Sequence, residues 1–100
     1  MNLTVAIEAL KEGKTIEIRA RGKSMQGKIE DGDLVAISPL IPTNVLEKGD
    51  IVICKVKGKT HLHLIKAVKG DRYLICNNKG WINGWCSRDS VYGRAVAINR

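Results

Sequence analysis

One hundred residues with a net charge of +7, 44% of them hydrophobic and 27% charged, are too few for two ordinary domains and too apolar for a disordered tail. No apolar run approaches the roughly 20 residues of a membrane-crossing helix, and the opening Met1–Lys14 segment lacks the charged-then-apolar order of a signal peptide. A single soluble domain over residues 1–100, unexported and with no membrane partner, is therefore expected. The positive charge is scattered among acidic residues and there are only four aromatics, which points to a solvated basic surface rather than a nucleic-acid interface. Cys54, Cys76 and Cys86 make neither an even disulfide set nor a C-x-x-C pair, so reduced core thiols and a cytoplasmic location follow.

Taken in chain order, Leu3, Ala6, Ile7 and Leu10 recur at helical spacing, with Asn2 or Thr4 to cap the start and Gly13 to end it. Residues 1–14 are read as one short helix and 15–100 as a β core. Thr15 to Ala20 alternates Ile16, Ile18 and Ala20 with Glu17 and Arg19, as a half-buried strand does. Gly32-Asp33-Leu34-Val35-Ala36-Ile37 and Gly49-Asp50-Ile51-Val52-Ile53-Cys54 each place a Gly-Asp turn before an apolar run, so two buried strands are predicted, with Asp33 and Asp50 capping local backbone N–H groups.

Between those strands, residues 38–48 hold both prolines and read as a loop. Thr60 to Val68 reads as a further strand, with hairpin turns at Gly58-Lys59 and at Lys69-Gly70-Asp71. Trp81 to Ser90 reads as turn-rich, its two tryptophans closing a small core, and Val91 to Ile98 as a last strand with a bulge at Gly93. The predicted architecture is mainly β: a compact antiparallel barrel or coiled sheet with one N-terminal helix.

Three ordered motifs, Gly22-Lys23-Ser24-Met25, Glu30-Asp31-Gly32-Asp33-Leu34-Val35 and Lys48-Gly49-Asp50-Ile51-Val52, resemble the signature of the LexA and signal peptidase superfamily of serine peptidases (S24/S26-like). The likeness spans roughly residues 16 to 98. It implies that Ser24 attacks a peptide carbonyl, and that a base on a later strand takes the hydroxyl proton.

The family's usual Lys-Arg pair is absent from Thr60 to Val68. Counting back from Gly70 and Asn78 puts the base at or near His63, where Leu62-His63-Leu64-Ile65 resembles the Val-His-Arg-Val of eukaryotic-type and archaeal signal peptidases. Histidine is already largely neutral at pH 7, whereas a lysine must be desolvated to act as a base. Lys66 is the alternative base, and using it would require a shorter hairpin.

The resemblance further implies an oxyanion site at backbone N–H groups of Ser24 or Met25. Asn77, Asn78 and Asp89 are candidates to orient the imidazole, with Asn78 at the family's asparagine. Gly27 stands where the family places proline. The DNA-binding module and membrane anchor that accompany this domain in its relatives are not expected here.

The implied function is cleavage of a peptide bond by a Ser24/His63 dyad, in a peptide or protein substrate bound as an added strand. The alternative is a catalytically silent relative that binds peptides or proteins. No cofactor is expected. His61 and His63 share a strand face, as paired metal ligands do, but no second ligand pair has recognised spacing, so no metal is expected either.

Overall fold

The computed structural model describes residues 2–99. Helix α1 (Leu3–Lys11) begins where the Asn2 side chain accepts the Val5 N–H at 2.9 Å. It ends at Gly13, whose φ of +81° suits a residue without Cβ. Seven strands follow: β1 (Ile16–Arg19), β2 (Leu34–Pro39), β3 (Ile51–Val56), β4 (Lys59–Lys69), β5 (Arg72–Cys76), β6 (Ile82–Ser87) and β7 (Val91–Asn99). They pair antiparallel in the order β1-β2-β7-β3-β4-β5-β6 and curl into a half-barrel. Among the described residues no helix is long and apolar enough to cross a membrane.

Strand β3 lies at the centre and is buried on both faces, as its unbroken Ile51-Val52-Ile53-Cys54 run requires. Ile53 joins Ala6, Ile7 and Leu10 of α1, with Ile18, Val35 and Ile37, in one apolar cluster. Val52 and Cys54 face the other way, into a second cluster with Ile65, Tyr73, Ile75, Cys86 and Val91. Directly opposed residues of an antiparallel pair point to the same face. His61, opposite Cys54, and His63, opposite Val52, therefore stand on the face of the second cluster.

Two expectations are corrected. The turn-rich reading of 81–90 misses β6, a strand followed by one 3-10 turn at Arg88–Ser90. Trp81 and Trp85 do not close the core: they are 74% and 41% exposed, because β6 is the last strand of the sheet and turns Cys86, not Trp85, inward. Branched aliphatics fill the interior instead, with Ile37, Ile53, Ile65 and Ile75 fully buried.

The irregularity near Gly93 falls on Tyr92, which the β3–β7 register skips between Ile53↔Gly93 and Cys54↔Val91. Gly93 serves close packing. A Cβ there would sit 2.7 Å from Ile37 Cγ2 and 2.9 Å from Leu10 Cδ1, so the absence of a side chain lets α1 and β2 close over β7.

Candidate active site

The loop between β1 and β2 presents Ser24. Its neck is closed by Ala20 N–H to Asp33 C=O at 2.8 Å and Gly32 N–H to Ala20 C=O at 2.9 Å. Met25 and Ile29 anchor it in the core, 4% and 2% exposed, and the Met25 carbonyl accepts the Ile29 N–H at 2.8 Å. Carboxylates hold the rest of the backbone: Asp31 accepts from Gly22 N–H at 2.8 Å, Glu30 from Gly27 N–H at 2.7 Å and Asp33 from Glu30 N–H at 2.8 Å. The acidic motif that follows the serine thus shapes the turn that displays it.

His63 comes from β4. The second Gly-Asp turn fixes that strand through Gly49 N–H to Ile65 C=O at 2.8 Å and Ile65 N–H to Asp50 C=O at 2.9 Å, while Asp50 caps Glu47 N–H at 2.9 Å. His63 is 9% exposed, and its Nε2 lies 3.3 Å from Ser24 Oγ. Its Nδ1 lies 2.7 Å from Asn83 Oδ1. An amide oxygen only accepts, so Nδ1 carries the proton and donates to Asn83, leaving the Nε2 lone pair to accept the Ser24 hydroxyl.

Burial lowers the His63 pKa from its ordinary value, and the Asn83 bond opposes that shift in part. The His61 ring stacks on His63 with centroids 4.8 Å apart and planes 18° from parallel. Burial, then His63 and Lys59, depress the pKa of His61 as well.

Asn83 occupies the place expected of Asn77, Asn78 or Asp89. The β5–β6 register passes from Ile75↔Gly84 to Cys76↔Ile82, leaving Asn83 as the extra residue of a bulge, and a bulge re-aims a side chain that regular alternation would send elsewhere. Asn78 does not orient the imidazole. Its backbone N–H donates to the Ser24 carbonyl at 2.9 Å, and its side chain donates to the Gln26 carbonyl at 2.8 Å, so it ties the serine loop to the turn after β5. Asn77 Oδ1 accepts from Lys79 and Trp81 N–H, both at 2.9 Å, and Asp89 is exposed in the 3-10 turn.

Lys66 is exposed and is itself the residue skipped between Ile65↔Ile75 and Ala67↔Leu74; no bond joins it to Ser24. Among the described residues no hydrogen bond takes up the backbone N–H of Ser24 or Met25. Among the described residues, no group of three or more His, Cys, Asp or Glu is placed to hold a metal ion.

Ser24 and His63 open onto a groove of about 360 Å³ lined by Ile18–Gly22, Met25, Ile29, Thr60–His63 and the start of α1. Both strands along it offer unpaired backbone. Among the described residues β1 pairs only with β2, and on β4 the partnership with β5 begins at Leu64, leaving the groove-lining residues paired with β3 alone.

A protein-family model described as Peptidase S24-like matches residues 2–96. Comparison with curated proteins finds no match.

Proposed function

This chain belongs to the Peptidase S24-like family, and we propose that it is a serine endopeptidase in which Ser24, His63 and Asn83 act in series on a peptide held in the groove. The single observation behind this reading is the imidazole bridge, with Asn83 on Nδ1 and Ser24 on Nε2. A neutral imidazole in that tautomer has its free lone pair aimed at the one hydroxyl that must lose a proton.

In this mechanism Ser24 Oγ attacks the scissile carbonyl as Nε2 takes its proton. The oxyanion settles against the N–H groups of Ser24 and Met25. The imidazolium, steadied through Nδ1 by the Asn83 carbonyl, returns the proton to the leaving amine, and water then releases the acyl-enzyme by the same base. An extended peptide laid between the β1 and β4 edges would find backbone donors and acceptors on both sides. The three thiols, buried and free of disulfides, suit a reducing compartment, and the cytoplasm is the proposed location.

A fluorophosphonate probe tests the reading. Intact-mass analysis is expected to show one adduct on Ser24 in the wild type, and strongly slowed labelling in His63→Ala. Labelling that persists unchanged in Ser24→Ala would remove the peptidase assignment and leave a peptide-binding relative.

A further inference from the structure

The groove is lopsided in charge. Its polar lining includes Arg19 and Arg21, with His61 and His63 opposite, and among the described residues no carboxylate lines it. Lys23 and Lys59 are exposed beside it, adjoining Gly22 and Ser24 on one side and Thr60 on the other. The acids of the serine loop turn toward its own backbone, Asp31 to Gly22 N–H and Glu30 to Gly27 N–H. Arg19 Nη1 donates to the Gly32 carbonyl at 2.7 Å, which fixes one cation at the rim, and among the described residues no carboxylate forms an ion pair with it. The lining is otherwise apolar, with Ile18, Met25, Ile29 and Leu62 among its residues.

We propose that the occupant is an acidic extended peptide, an apolar or small residue seated over Ile18, Met25 and Leu62 and Asp or Glu side chains flanking it toward Arg19 and Arg21. This rests on the peptidase reading and adds the substrate class to it. Peptide suits the site better than nucleic acid because the groove runs between two unpaired strand edges, which match an extended backbone residue by residue, and because no tryptophan, tyrosine or phenylalanine among the described residues lines it to stack a base. Basic side chains around a cleft lined by low-dielectric residues also concentrate anionic ligands before docking.

The test uses the full chain as Ser24→Ala, so that binding is read without cleavage. Three fluorescein-labelled decapeptides share one apolar centre and differ in flanks of Asp/Glu, Ser/Asn or Lys; a labelled thymidine decamer serves as the nucleic-acid control. Anisotropy at low salt is expected to rank acidic above neutral above basic, with about a two- to fivefold loss of affinity for each rim charge removed, as exposed ion pairs give. Arg21→Gln added to Ser24→Ala should lose that factor for the acidic peptide alone, and raising the salt should compress the ranking.

Equal affinities, a preference for lysine flanks, no binding by any peptide, or tighter binding of the thymidine decamer would each overturn the proposal. The wild-type chain incubated with the same peptides separates the two readings. Acidic binding without cleavage sinks the peptidase and keeps the substrate class; cleavage indifferent to flanking charge does the reverse.

Discussion

The Nδ1 of His63 and the Oδ1 of Asn83 stand 2.7 Å apart, joining β4 to β6 across the intervening β5 by a side-chain bond. That bond sets which ring nitrogen is protonated, and so which one faces Ser24. Asn83→Ala should leave the chain folded and lower kcat/KM about tenfold or more, the equivalent of about 1.4 kcal/mol, because the imidazole loses its tautomer lock and the imidazolium its acceptor. Asn78→Ala, by contrast, should disturb the serine loop and leave the pH profile in place.

The pH profile follows from the direction of the His63 shift. With its pKa below 6.5, the base is neutral through the physiological range. The acid limb of kcat/KM should therefore have its midpoint below 6.5, a position that profiles of the free enzyme read directly. Asn83→Asp sets a carboxylate against Nδ1–H and should move that limb upward by about 1 unit, whereas Asn83→Ala removes the one opposing influence on burial and should move it down.

Stability bears the same sign. Between the depressed folded value and 6.5, the unfolded chain binds a proton at His63 that the folded chain refuses, so stability falls as pH drops through that window. His61, depressed in the same direction, adds to the fall. Thermal melts of wild type and His63→Gln from pH 7 to 5 should fall more steeply for the wild type, since only the wild type carries this linkage.

Removal of the base separates the two sequence candidates. His63→Ala should reduce turnover by about 10² to 10⁴, the range of a lost general base, and Ser24→Ala by at least as much. Lys66→Ala, altering an exposed bulge residue, should retain most activity in the same fluorogenic assay.

Two glycines give stability predictions of different character. At Gly27, φ is +101° and a Cβ would meet Asn78 Nδ2 at 2.9 Å. Gly27→Ala should destabilise by about 1–2 kcal/mol and lower activity as well, since Asn78 holds the Ser24 carbonyl. Gly93→Ala should cost about 1–3 kcal/mol through contact with Ile37 and Leu10, neither of which lines the groove. Urea titrations paired with kcat/KM should show loss of both for the first and of stability alone for the second.

The sequence shows the parts of this molecule that rest on periodicity and turn chemistry. The α1 spacing, the two Gly-Asp strand starts and the hairpin at Gly58 each leave a local trace, and the motif around Ser24 leads to a hydroxyl that does meet His63. Asn83 leaves none, because its aim depends on a one-residue slip between β5 and β6, and a slip is a relation between strands rather than a property of either. The tryptophans misled for a similar reason. Large apolar side chains are ordinarily interior in so small a chain, but which face of β6 is interior depends on where the sheet ends.

The bare backbone along β1 and the first half of β4 bears on solution behaviour as well as recognition. Free strand margins ordinarily invite copy after copy of a chain to stack into fibrils. Here the two margins line a single slot, so an incoming strand that occupies it finds its own sides taken and offers nothing for the next. Growth along the β1 and β4 margins would stop at one added segment, and the only other margin among the described residues is the outer side of β6, the last strand of the sheet.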